Sequence, residues 1–306
     1  MLFKLKILGS SAGVPAYHRF STAQILEVGS RLYLIDAGEG VQMRLNEYGI
    51  SKSKISAIFV SHLHGDHYYG LIGLLSSMSM NGRKTPLDVF SPAGLEAIIT
   101  LQLSVSESVL SYPVTFHIID TSVSQTIYED ETVCVQSLPL LHRVPTTGFI
   151  FKEHPRQLNM NPKKISEYNI PFGLIPDIKN GSDFLTADGL VVPNNELTFT
   201  PPTPRSFAYC SDTLYSEDII PEIKGVSILF HEATFMHDML ENAKFGMHTT
   251  AQQAGKMAAL AEVKNLVIGH ISARYLDANC LLSEAKNQFS NTHLGEDGFE
   301  VEVPFR

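Results

Sequence analysis

Apolar and polar positions fall along this chain in a repeating arrangement: an apolar run of strand length, a loop of small and polar residues, then a run at helical spacing. Residues 2–9 alternate as a first strand and end in the small-residue loop Gly9-Ser10-Ser11-Ala12-Gly13. Residues 24–28 and 31–35 predict two strands joined by Gly29-Ser30, a two-residue hairpin signal. The second delivers Asp36, and Gly38-Glu39-Gly40 leads into a helix through Met43, Leu45 and Tyr48. Residues 55–60 are apolar and rich in β-branched side chains, whereas residues 68–80 place Leu71, Ile72, Leu74, Leu75 and Met78 closer to a helical period. Strands follow over 86–90 and 133–138 with a helix over 95–101 between them, and the later strand runs out at Pro139-Leu140-Leu141-His142.

Between 152 and 204 this order lapses. Pro155, Pro162, Pro171, Pro176 and Pro193 punctuate the stretch, and few apolar residues recur at any period. An irregular excursion of that length is usually functional. Its first half is mildly basic, with Lys152, Arg156, Lys163, Lys164 and Lys179 against Glu153, Glu167 and Asp177. Order then returns. Residues 206–210 deliver Asp212, residues 227–230 run into His231-Glu232-Ala233-Thr234, and residues 265–268 end in Gly269-His270. Thr249 with Gln252 forms a capping-box pattern for a helix over 251–261. In each half, short apolar strands end in a metal-type ligand. The expected fold is therefore α/β, with two mixed sheets related by a pseudo-two-fold.

The chemistry concentrates in Ser61-His62-Leu63-His64-Gly65-Asp66-His67, on a tight loop between a strand and a helix. His62 and His64 are two apart, so on extended chain they point the same way and can chelate one ion. Asp66 and His67 come a turn later and reach that ion only with strain, which predicts a second one. Imidazoles with a carboxylate suit zinc or a similar divalent ion.

Composition sets the surroundings. The chain has 306 residues, 44% hydrophobic and 18% charged, enough for one large layered domain. A net charge of −9 requires any nucleic-acid-binding face to be locally basic. Cys134, Cys210 and Cys280 are odd in number and far apart, which suits a reducing compartment and argues against a disulfide framework. Lys4 and Lys6 interrupt any signal-peptide core, and no apolar run reaches the length of a membrane span. The expectation is a cytoplasmic enzyme with no membrane segment.

The His-x-His-x-Asp-His pattern at 62–67 resembles the metallo-β-lactamase superfamily. Leu8-Gly9-Ser10-Ser11-Ala12-Gly13-Val14-Pro15, Leu34-Ile35-Asp36-Ala37-Gly38-Glu39-Gly40, His231-Glu232-Ala233-Thr234-Phe235, Met247-His248-Thr249-Thr250 and His270-Ile271-Ser272-Ala273-Arg274-Tyr275 narrow the likeness to the ribonuclease Z family. That resemblance implies an αββα four-layer sandwich, one domain over 1–306, with 152–204 as an inserted substrate-gripping arm. It implies two Zn2+ ions per chain, the first held by His62, His64 and His142, the second by Asp66, His67 and His270, with Asp212 bridging. It implies a homodimeric endoribonuclease that cuts precursor tRNA on the 3′ side and leaves a 3′-hydroxyl.

On this reading Asp66 orients or deprotonates the nucleophile, His248 is the proton donor and Glu232 holds it. Arg274 and Arg19 would contact phosphate, and Lys152, Arg156, Lys163 and Lys164 would grip tRNA. His18, His117, His154, His231, His237 and His293 are expected to be structural or surface residues. Two positions depart from the family pattern: Tyr17 stands where a lysine is common, and Pro171-Phe172-Gly173-Leu174 replaces Pro-Pro-Gly-Pro in the arm. A general metallo-phosphodiesterase of the same fold, acting on small phosphodiesters or cyclic nucleotides, is the alternative. An RNA adaptor without turnover is disfavoured, because a pure binder has no use for Asp66, Glu232 and His248.

Overall fold

Alternation in the first strand sets the layering. In the computed structural model, which describes residues 2–305, β1 (Phe3–Gly9) buries Phe3, Leu5 and Ile7 while Lys4 and Lys6 stay partly exposed. One sheet takes β1, β2 (Ala23–Val28), β3 (Arg31–Ile35), β4 (Ile55–Phe59), β5 (Leu87–Ser91) and β6 (Val114–Ile118) side by side in chain order. The other takes β7 (Thr126–Glu129), β8 (Val133–Pro139), β9 (Thr147–Glu153), β10 (Ser206–Cys210), β11 (Ile228–Glu232), β12 (Leu266–Gly269) and β13 (Thr292–Leu294), also in chain order. A final strand, β14 (Glu300–Glu302), returns to pair antiparallel with β1 and brings the first sheet to seven strands, equal to the second.

Both sheets are mixed in the same way. β3 to β6 run parallel, as do β10 to β13, whereas β1 with β2, β2 with β3, β7 with β8 and β9 with β10 pair antiparallel. Each parallel run therefore presents several carboxyl ends at one edge, the place where open α/β sheets bind ligands. This is the internal parallel that the strand-end residues suggest.

The layer between the sheets is largely aromatic, built from Phe59, Phe149, Phe151, Phe207, Tyr209 and Phe230 with Leu5, Ile7 and Val267. Phe59 stacks on Phe90 at 5.1 Å and meets Phe151 edge-on at 5.2 Å. On the outer face of the first sheet, Leu34, Ile58 and Val89 are covered by α1 (Val41–Glu47), α2 (Leu71–Met80) and α3 (Leu95–Val105). Beyond α4 (Leu240–Gly246), α5 (Ala251–Leu260) and α6 (Asn279–Lys286) cover Leu229 and Ile268 of the second sheet. α5 approaches α6 closely: a Cβ on Gly255 would stand 2.5 Å from the Ala285 carbonyl oxygen. The result is the expected four-layer αββα sandwich.

Several local readings need correction. The helix expected over 68–80 is broken, with one turn at Gly65–Tyr68 and α2 beginning after Gly70. The capping box lies one residue on: Thr250 accepts from the Gln253 amide and the Gln253 side chain accepts from the Thr250 amide. Thr249 is buried and donates to the Thr213 carbonyl instead, which fixes the frame. β6, β7, β9, β13 and β14 have no counterpart among the predicted strands.

The chain divides into two compact units, the first running to Lys152 and resuming over Arg205–Pro304, the second covering Glu153–Pro204 with Phe305. The second unit is more regular than its sequence suggests. It pairs Asn159–Met160 with Thr198–Phe199 and Phe184–Leu185 with Val191–Val192, and closes Ile170, Ile178, Phe184, Val192 and Leu197 into a small core of its own.

Candidate active site

The site is built where the parallel strands end. Asp36 follows β3, the 61–67 loop follows β4, Asp212 follows β10, Glu232 closes β11 and His270 follows β12. Asp36, Asp212 and His270 all turn out of their strands in the left-handed region, at φ 56°, 51° and 56°. For residues other than glycine that conformation carries strain, tolerated where the surroundings over-determine it.

Two sets of donors converge. His62, His64, His142 and Asp212 form one, and Asp66, His67 and His270 the other, each with ligand atoms within 4.8 Å of one another. His62 Nε2 and His142 Nε2 lie 3.0 and 3.3 Å from His64 Nδ1. In the second set, Asp66 Oδ2 stands 3.4 Å from His67 Nε2 and 3.7 Å from His270 Nε2. Asp212 faces both. Its Oδ1 is 3.2 Å from His67 Nε2 and 3.1 Å from His270 Nε2, while Oδ2 is 3.7 Å from His62 Nε2 and 3.8 Å from His142 Nε2.

Hydrogen bonds behind the rings determine which nitrogen faces the cleft. Asp36 Oδ2 accepts from Ser61 Oγ and from Tyr209, so Ser61 Oγ is left to accept from His62 Nδ1. His67 Nδ1 donates to Asp36 Oδ2 at 2.7 Å, and His142 Nδ1 donates to the Met247 carbonyl at 3.1 Å. Thr234 gives its proton to Glu232 Oε2, so its oxygen accepts from His270 Nδ1. All four rings thus turn Nε2 inward, and buried outer partners of this kind fix metal-binding imidazoles.

The donor set fits a divalent cation. His67 Nε2 and His270 Nε2 are buried without a hydrogen-bond partner, yet both are aimed at carboxylates. Burial lowers the proton affinity of His67, but Asp212, Asp66 and Asp36 outweigh it and raise its pKa well above the usual value. The same negative field that holds that proton would hold a cation in its place. Burial lowers the pKa of His62, His64 and His142, which leaves them neutral and ready as ligands.

His248 stands apart. It shares space with Asp212 and His270, but its Nδ1 is held at 3.0 Å by Glu232 Oε1. Burial lowers its pKa, yet the Glu232 carboxylate overrides burial and raises it to about 9. Glu232 is itself fixed, since Oε1 also accepts from the Thr213 amide and Oε2 from Thr234. Asp66 is anchored by the Gly13 amide at 2.9 Å.

The two arginines part ways. Arg274 is exposed and lies over the Phe235 ring at 5.6 Å, and Phe235 lines the cleft. Arg19 is 5% exposed, donates to the Tyr275 carbonyl at 2.5 Å and approaches Glu296. Its guanidinium ties these loops together. The cause is local, because Tyr17 and His18 adopt successive left-handed conformations and reverse the chain between Ala16 and Arg19.

The arm cations are also unequal. Lys152 lies on β9 and donates to Gln136, Lys164 is paired with Glu167, Arg156 packs on Phe305 at 4.0 Å, and Lys163 is exposed. Residues 153–204 carry four lysines and arginines against six carboxylates, a net −2.

Sequence reasoning assigned no role to Asp36, Tyr209, Thr234 or Arg143. A signal for Asp36 exists, since 31–35 delivers it as 206–210 delivers Asp212. Arg143 lines the cleft beside His142, and nothing in its spacing marks it.

The family model described as "Anti-Pycsar protein Apyc1" matches residues 3–153. The chain is similar to the protein named ribonuclease Z in Phocaeicola vulgatus, with 42% identity over 301 residues covering 98% of this chain and 97% of that one. It is likewise similar to the ribonuclease Z of Bacteroides fragilis, at 43% identity over 98% of this chain and 99% of the relative. Among solved structures, human tRNase Z, short form, superposes with a TM-score of 0.72 at 24% identity, covering 99% of this chain and 100% of that one. The metallo-β-lactamase fold protein YhfI of Bacillus subtilis gives 0.70 at 18% identity, over 99% and 100% of the two chains. These structural likenesses concern the fold.

Proposed function

The chain belongs to the ribonuclease Z family, phosphodiester-hydrolysing endoribonucleases of the metallo-β-lactamase fold, and we propose that it cuts precursor tRNA on the 3′ side with two bound zinc ions. The observation that carries this reading is the pair of donor sets sharing Asp212, with the Glu232-held His248 beside them. His62, His64 and His142 would hold one ion, Asp66, His67 and His270 the other, and Asp212 would bridge. Bound there, the ions would supply Lewis-acid polarisation of the scissile phosphate and activation of water.

The chain's own residues do the rest. Asp66, fixed by the Gly13 amide, is set to take the proton of the attacking water. His248, with Nδ1 committed to Glu232, carries a proton on Nε2 for the departing ribose 3′-oxygen and leaves a 3′-hydroxyl. Arg274 offers its planar fork to the phosphate. On this reading the enzyme works as a homodimer, one subunit's arm serving the other's active site, in the cytoplasm, where the free cysteines Cys134, Cys210 and Cys280 are at ease.

Purified protein assayed on precursor tRNA beside bis(p-nitrophenyl) phosphate tests the proposal. Both should be cleaved, with a 3′-hydroxyl on the tRNA product. His64→Ala and His270→Ala should each lose metal by elemental analysis, together with both activities. Hydrolysis of the small ester alone favours the general phosphodiesterase, a reading to which the net −2 of the arm lends some weight. Full metal content and turnover in either variant would remove the ligand assignment.

A further inference from the structure

The cleft that holds the donor sets is small, about 260 Å³, and opens to solvent between Gly13, His64, Arg143, Phe235, Gly246 and His248. It takes a phosphodiester and parts of the flanking sugars; the attached bases must lie outside, on the rim. One stretch of rim is built to receive a flat ring. Phe245, at the end of α4, is 83% exposed, an unusual position for a large aromatic beside a polar cleft. Arg143 donates to the Phe245 carbonyl at 2.6 Å and brings its guanidinium carbon to 5.2 Å from the centre of the ring. The pair thus has one cation-covered side and an open side.

This rim is joined to the reacting groups through the backbone. Gly246 lies against His248, where a Cβ would come within 2.9 Å of the imidazole Cδ2. Met247 ends α4 in the left-handed region at φ 57°, and its carbonyl accepts from His142. Phe245, His142 and His248 are therefore joined through one short stretch of backbone. His248 faces the departing 3′-oxygen, so the nucleoside bearing that oxygen is the one nearest Phe245.

We propose that Phe245, backed by Arg143, is a stacking platform for the base immediately 5′ of the cut, the last nucleotide kept in the product. The inference rests on the endoribonuclease reading above. Aromatic rings with arginine beside them bind single-stranded RNA through stacking that tolerates any base. Arg143 adds a positive charge beside the scissile phosphate.

The test pairs protein and substrate changes. Precursor tRNA is prepared with either a normal or an abasic nucleotide immediately 5′ of the cut, and kcat/KM is measured for wild type, Phe245→Leu, Phe245→Tyr and Arg143→Gln. In wild type the missing base should cost about 5- to 100-fold. Phe245→Leu should lose as much on the normal substrate and nothing further on the abasic one, and Phe245→Tyr should restore the preference. Arg143→Gln should weaken both substrates. Metal content checks that the variants are folded.

Losses that multiply, or a wild type indifferent to the base, would overturn the platform. A second measurement does not depend on tRNA cleavage. A dinucleotide with 2-aminopurine as its 5′ base should be quenched on binding to wild type and not on binding to Phe245→Leu. If tRNA is left uncut while the dinucleotide is quenched in this way, the platform stands and the tRNA reading falls; equal fluorescence in both proteins sinks the platform.

Discussion

Two histidines touch Glu232 and are driven in opposite directions. His248 meets its carboxylate and is raised to about 9, despite burial. His231 donates Nδ1 to its backbone carbonyl at 2.8 Å, and burial lowers its pKa, with Nε2 buried and unpartnered. The first is suited to give a proton: His248→Ala should keep both metals, by elemental analysis, and lose turnover by about two to four orders of magnitude. A parallel fall in metal would make His248 a ligand. The second is a stability element. Its folded pKa lies below the ordinary value near 6.5, so protons favour the unfolded chain, and stability is lost as pH falls below that value. In chelated protein the Tm of wild type should therefore drop more between pH 7.5 and 5.5 than that of His231→Gln. Parallel curves would show that His231 does not contribute.

At the scale of elements, strands buried on two faces were mostly legible, although β9, buried almost throughout, was not. β3, β4, β10 and β12 read as strands because they are nearly continuous apolar runs, and their ends could then be searched for ligands. β6 and β7 were missed because their residues are half-exposed at the margins of the sheets, without clean alternation. The capping box was misplaced because Thr249 with Gln252 and Thr250 with Gln253 are equal as sequence, and a tertiary bond from Thr249 to Thr213 chooses between them. The burial of Arg19 was not legible for a similar reason, since the left-handed pair at 17–18 leaves no mark in composition. The arm was read as irregular, but its short strands and small core depend on partners far along the segment. Its attachment suggests a clean excision. Lys152 and Ser206 are directly opposed across β9 and β10, so residues 154–204 occupy the position of a hairpin turn. Replacing them with Asn-Gly should leave the sheet intact. Hydrolysis of bis(p-nitrophenyl) phosphate should then survive, while cleavage of precursor tRNA is abolished; a parallel loss of both would make the segment part of the catalytic fold.

Across the whole molecule, each donor set takes ligands from both sheets. His62, His64, Asp66 and His67 come from the first, and His142, Asp212 and His270 from the second. Binding free energy gained there accrues only when the sandwich is closed at that edge. Chelation should accordingly lower Tm by on the order of 5–10 °C, and an unchanged Tm would show that the sites do not bridge the layers. The sequence has no disulfide to act as a tie, since its three cysteines are free. Bound ions would take over that office, clasping segments as far apart in the chain as His62 and His270. A newly made molecule without them would gape where the parallel strands end and offer that edge to proteases. Metal supply would then govern how long each copy of the protein survives, and its half-life under limited proteolysis should lengthen with zinc before any substrate is present.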